Sequence, residues 1–145
     1  MALEVGKTYE VASYKFSYSE KYQSEYVSLS LVDGTSVASF SKVIVSQLKM
    51  GEGMIIDMTQ GKPFKMIPVQ RMSKGSGNKY LAIYRIIFEG KAYSIYTSTY
   101  HYFNCVSENV MLLEAKRDTE RLAKGESLIL PSAEKDAAKI AFEAL

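Results

Sequence analysis

The sequence predicts a mainly β protein, α+β overall, in which a five-stranded antiparallel barrel with a short internal helix precedes two C-terminal helices. Apolar and polar residues alternate with a period of two in residues 7–18 and 26–32, as half-buried strands do. Asp33-Gly34 separates two such runs and is a strong hairpin signal. Beyond Phe103 the apolar period becomes helical.

These observations divide the 145-residue chain in two. We expect a barrel in residues 1–103 and a helical extension in residues 104–145, which packs on the barrel or on a partner subunit. The opening strand is predicted at residues 7–18, with Tyr14, Phe16 and Tyr18 on one face. The other strand-like runs cover residues 26–32, 35–40, 53–59, 79–88 and 91–99. Together the runs allow four to six strands, and we expect five.

The helices are predicted from spacing and capping residues. Val43, Ile44 and Leu48 recur at helical spacing and indicate a short helix over residues 42–50. Ser107 would cap a helix that runs to residue 124 and ends at Gly125, and Ser132 would cap the last helix.

The charge of the chain is unevenly distributed. Eighteen Lys and Arg against sixteen Asp and Glu give a net charge of +2, which indicates no charged partner. Residues 60–91, however, contain seven basic side chains and one acid, whereas residues 104–145 contain six basic and eight acidic side chains. A basic segment is therefore offset by an acidic helical end.

Composition argues against an enzyme. One cysteine and one histidine exclude a disulfide framework and most metal or His-based catalytic sites. His101 and Cys105 lie four residues apart, but no third group would orient them, so we expect a structural role. The carboxylates are scattered, and none pairs as a general acid and base. We expect no catalytic residue, metal or cofactor.

The start of the chain has no signal-peptide pattern, and no apolar run approaches the ~18 residues of a membrane span. The sequence therefore predicts an intracellular, soluble protein without membrane partners.

The order of the segments GKTYEVASYKFSY, EYVSLSLVDGTSVASF, SKVIVSQLKM and GEGMIIDM resembles an OB-fold. Within residues 6–97 it is similar to the small single-stranded DNA-binding proteins of viruses and phages. The resemblance implies a replication-associated protein whose sheet face and loops hold single strands through stacked aromatic rings and basic side chains.

The candidate binding residues combine tyrosines with cations. The chain has eleven Tyr and no Trp, and Tyr stacks well on bases at a partly exposed position. Tyr18 and Tyr22 lie within the polar stretch SYSEKYQSEY, and the segment RMSKGSGNK is predicted to be a flexible basic loop. The candidate residues are Tyr18, Lys21, Tyr22, Lys62, Lys65, Arg71, Lys74 and Lys79. The expected partner is single-stranded DNA, or RNA, rather than a small-molecule substrate.

Each of these patterns also has a structural interpretation. Tyr14 and Phe16 fit a core, and the basic loop fits an ordinary solvated hairpin. A second cluster, Tyr93, Tyr96, Tyr100 and Tyr102, fits a core or a subunit interface. The alternative function is thus a protein-interaction or structural subunit with a tyrosine-rich interface and no nucleic-acid binding, and we expect a homo-oligomer in either case.

Overall fold

The computed structural model describes residues 2–95 and 108–145. Within them, six antiparallel strands form one sheet in the order β3-β2-β1-β4-β5-β6. The strands are β1 (Tyr9–Ser19), β2 (Ser24–Leu31), β3 (Ser36–Ser39), β4 (Phe64–Met72), β5 (Lys79–Phe88) and β6 (Lys91–Tyr93). The helices are α1 (Lys42–Met50), α2 (Glu52–Thr59), α3 (Glu108–Ala123) and α4 (Ala133–Glu143).

Strand β1 bends so that it can pair with two neighbours. Tyr9–Val11 pairs with β4, and after a bulge between Val11 and Ser13 the rest of the strand pairs with β2. Beyond the bulge, Tyr14 and Phe16 pack against the buried core, which also takes in Ile44 and Leu48 of α1. The alternation predicted for the opening strand thus places its aromatic side chains on the inner face.

The expected five-stranded closed barrel is wrong, because the sheet formed by the described residues has six strands and stays open. The side chains of Ser41 and Gln47 form hydrogen bonds with backbone groups of β5. Ser41 Oγ donates to the carbonyl of Leu81 at 2.6 Å, and the buried Gln47 amide bonds both the N–H and the carbonyl of Ile83, at 2.8 and 3.1 Å. These groups point away from β4, so a closing strand would have to displace both side chains.

The predicted strand at residues 53–59 is also wrong, because this segment forms helix α2. Ile55 and Thr59, four residues apart, are the buried positions, and Thr59 Oγ1 donates to the Ile55 carbonyl at 2.8 Å. A short apolar run fits either period, and burial of two side chains at helical spacing decides between them. The described part of the barrel region therefore contains two helices, α1 and α2, rather than the one expected.

The Asp33-Gly34 hairpin, the cap Ser132 and the helix end at Gly125 are confirmed, whereas the run predicted as a strand over residues 91–99 is a strand only at Lys91–Tyr93 and lies outside the described residues from position 96 onward. Asp33 accepts hydrogen bonds from the Thr35 amide and hydroxyl, although the connection spans four residues rather than two. Ser132 caps α4 by accepting from the Lys135 amide at 3.1 Å, and Gly125 follows α3 at φ +71°. The predicted cap Ser107 lies outside the described residues.

Both C-terminal helices pack on the sheet of their own chain, α3 on β6 and α4 on β4. A bulge in β5 leaves Tyr84 unmatched between Ile83 and Arg85, so Tyr84 and Arg85 face the same way. Their hydroxyl and guanidinium groups both donate to the buried carboxylate of Asp118 in α3, each at 2.8 Å. Arg121 donates to the other oxygen of Asp118 at 2.7 Å. This cluster ties α3 to the sheet.

Candidate nucleic-acid interface

Three aromatic rings, which we call the aromatic trio, meet at one end of the sheet. The ring of Phe40 lies 5.5 Å from that of Tyr22 and 5.0 Å from that of Tyr26, between ring centroids. Tyr22 is 63% exposed and Phe40 is 42% exposed, whereas Tyr26 is partly buried. The trio therefore offers two aromatic surfaces to solvent.

Strand geometry brings the trio together. Val27 is buried in the core, so its neighbour Tyr26 faces the outer side of the sheet. Phe40 comes directly after β3, the strand that pairs with β2. Tyr22 lies in the β1–β2 turn, where its amide donates to Ser19 Oγ at 3.3 Å. Three parts of the chain thus contribute one ring each.

Phe40 also lines a groove between β3 and β5, of about 590 Å³, which we call the β3–β5 groove. Among the described residues no Asp or Glu lines it, whereas Lys42 and Lys79 do. Tyr80 contributes a second ring. At the trio, Lys21 Nζ lies 5.3 Å from the Tyr22 ring centre. The groove and the trio form one continuous surface through Phe40, with exposed ammonium groups and aromatic rings.

Three of the sequence-predicted residues, Lys21, Tyr22 and Lys79, belong to this surface. Tyr18 has the same 63% exposure as Tyr22 but lies on the other face of the sheet. It pairs with Glu25, whose carboxylate reaches Lys49 of α1, whereas Tyr26 pairs with Ser17.

Arg71 and Lys74 are engaged by α4. Asp136 accepts from Arg71 at 2.7 and 3.0 Å, and Glu143 lies 3.1 Å from Lys74 Nζ. Lys62 and Lys65 line another groove, of about 580 Å³, together with Glu10, Phe88, Glu89 and Leu122. That groove carries balanced charge and does not share a lining residue with the β3–β5 groove.

Sequence reasoning missed four members of the surface. They are Tyr26, Phe40, Lys42 and Tyr80. The period-two pattern next to the apolar Val27 and Leu29 could have placed Tyr26 outward. Phe40 gave no such signal, because its ring partners Tyr22 and Tyr26 are distant in sequence and reach it through the pairing of β2 with β3.

Three side chains with a shifted pKa, Tyr14, Asp33 and Tyr84, lie outside the surface formed by the groove and the trio. Burial, with a contribution from Glu52, raises the pKa of Tyr14 above its ordinary value. The hydrogen bonds from Thr35 hold the pKa of Asp33 below its usual range. Burial also raises the pKa of Tyr84, and its hydrogen bond to Asp118 adds to the effect. None of these groups lies in the β3–β5 groove or in the trio.

The second tyrosine cluster lies mostly beyond the described residues: Tyr96, Tyr100 and Tyr102 fall within residues 96–107, as do His101 and Cys105. In the part of the chain that the structure describes, no three His, Cys, Asp or Glu side chains form a metal-binding group. The helices of that part are all too short or too polar to cross a bilayer.

Comparison with known proteins assigns no family: neither a scan against protein-family models nor searches of curated proteins and of solved structures give a match.

Proposed function

We propose that the protein binds single-stranded nucleic acid, DNA in preference to RNA, with little sequence preference and without catalysis. The observation that carries the proposal is the continuity of the aromatic trio with the β3–β5 groove, which places exposed rings beside the lysines of a groove whose described lining includes no Asp or Glu. Single strands expose the faces of their bases and carry one charge per phosphate, so a sequence-tolerant site needs both kinds of group.

The geometry of the trio favours unpaired bases. The rings of Tyr22 and Phe40 are inclined by 75°, so bases stacked on the two rings would be splayed apart. Bases in a duplex lie parallel and are covered on both faces by their neighbours. A surface of this shape therefore fits a strand whose bases can turn individually, and each stacked base contributes about 1–3 kcal/mol.

The order of the elements also supports the proposal. In OB-folds the face of strands two and three, with the loops after strands one and four, binds oligonucleotides. Here the trio comes from the β1–β2 turn, β2 and the residue after β3, and Lys79 follows the β4–β5 turn. Helices α1 and α2 lie between β3 and β4. We accordingly propose an OB-like module that has remained open between β3 and β5.

Leucine variants of exposed rings test the proposal. Tyr22→Leu and Phe40→Leu keep apolar volume and remove the stacking plane, so each should weaken binding of fluorescent oligo(dT) about 5- to 150-fold. Tyr18→Leu is the matched control, because Tyr18 is equally exposed on the other face of the sheet. We expect its affinity to stay within twofold of the wild type.

Equal effects of the three substitutions would contradict the assigned surface. If the wild type fails to bind oligo(dT) at low salt, the nucleic-acid function is wrong, and the tyrosine-rich oligomer interface becomes the better account.

A further inference from the structure

Helix α4 contacts the basic β4–β5 turn at two points, both on the β4 side of the turn. At the root of the turn, the Asp136 carboxylate accepts from Arg71 Nε and Nη2 and from the Met72 amide, at 2.7, 3.0 and 3.0 Å. Two helical turns further along, Glu143 Oε2 lies 3.1 Å from Lys74 Nζ. The first contact fixes the helix on β4, and the second places a carboxylate beside the ammonium group of the turn.

The two contacts differ in strength. The carboxylate of Asp136 is largely buried and bonds three donors, so it forms a stable anchor. Lys74 and Glu143 are 53% and 40% exposed, and ion pairs this exposed contribute little and exchange readily. An incoming phosphate can therefore replace Glu143 as the partner of Lys74 while α4 stays in place.

We propose that Glu143 is a built-in competitor for the nucleic-acid phosphate at Lys74, so that α4 limits the affinity of the site. This inference rests on the proposed function. Lys74 precedes Lys79 of the β3–β5 groove by five residues, at the other side of the same turn. Lys74 itself does not line the groove, so the proposal places it on the path of a strand that leaves the groove along this turn. There the carboxylate of Glu143 would repel the phosphate that approaches Lys74.

The competition should change the salt dependence of binding. When a phosphate displaces Glu143, the freed carboxylate attracts a cation from solution, and this uptake offsets the cation that the phosphate releases. Without the carboxylate the offset disappears. Binding by Glu143→Gln should therefore depend more steeply on salt than binding by the wild type.

The test is an oligo(dT) titration of the full chain at several salt concentrations. We expect Glu143→Gln to tighten binding about two- to fivefold at 50 mM salt and to steepen the logarithmic salt slope by about 0.7. Glu134→Gln is the matched control, since it removes the same charge from an exposed position near the start of α4. A Lys74→Gln background should abolish the gain from Glu143→Gln.

Three results would overturn the inference: an equal gain from Glu134→Gln, no gain from Glu143→Gln, or a gain that persists in Lys74→Gln. The first and third would show a general charge effect rather than competition at Lys74. Failure of the proposed function looks different, because the wild type and all variants would then leave oligo(dT) unbound.

Discussion

At the scale of single residues, Gln47 gives the clearest reason why the sheet does not close into a barrel at β5. Its amide is fully buried and serves both backbone groups of Ile83, as a neighbouring strand would. Sequence reasoning placed Gln47 in the right helix but could not assign this role, because the partner lies 36 residues away. A polar side chain on an otherwise apolar helix face was the available signal.

Replacing Gln47 with Met should preserve volume and leave the N–H and carbonyl of Ile83 buried without partners. We expect a loss of about 2–4 kcal/mol in the free energy of unfolding, measured by urea denaturation. Ser46→Ala, at a neighbouring position of α1 outside the buried face, should cost less than 1 kcal/mol. Equal stabilities for the Met variant and the wild type would refute this role of the amide.

Tyr84 makes stability depend on alkaline pH. Burial, chiefly, holds its pKa above the ordinary value of about 10, so the unfolded chain loses this proton at a lower pH than the folded chain. The contribution of Tyr84 is thus complete below pH 10 and is lost as the pH rises above it. Between pH 9 and 11, the urea midpoint of unfolding should fall less steeply for Tyr84→Phe than for the wild type. Parallel curves of midpoint against pH for the two proteins would contradict the raised pKa of Tyr84.

At the scale of elements, turn and cap signals were more reliable than apolar runs. Asp33 and Ser132 act locally through their own side chains, so their roles could be read from sequence. The helical period of residues 53–59 could not be read from the sequence, because the burial of Ile55 and Thr59 depends on parts of the chain that are distant in sequence. The bulge at Tyr84 was equally hidden, since it depends on the register of β4 against β5.

Helix α3 is tied to the sheet by an ion cluster, and this attachment can be tested. The side chains of Asp118 and Arg85 are 1% and 3% exposed, so Asp118→Asn leaves a buried cation without its carboxylate. We expect a loss of about 3–5 kcal/mol in the free energy of unfolding. Glu114→Gln is the control: Glu114 is half exposed and 3.8 Å from Arg85, and its loss should cost less than 1 kcal/mol. Similar losses for both variants would show that burial of the pair is unimportant.

At the scale of the whole molecule, the distribution of charge matters more than the total. The basic segment seen in the sequence divides in three dimensions: Lys79 reaches the β3–β5 groove, Arg71 and Lys74 meet acids of α4, and Lys65 lies in a different groove. Sequence reasoning therefore identified the right kinds of side chain but not which of them share a surface. That grouping depends on the curvature of the sheet and on the packing of α4.

The most direct test of the account is a titration of fluorescent oligo(dT) at 50 and 200 mM salt, beside oligo(U) and duplex DNA. If Lys21, Lys42 and Lys79 each neutralise one phosphate, the affinity for oligo(dT) should fall about 20-fold across this range. At either salt concentration, duplex DNA should bind more weakly than oligo(dT), because its bases cannot reach the aromatic trio. Absence of binding at 50 mM salt, or equal affinity for duplex DNA, would contradict the account.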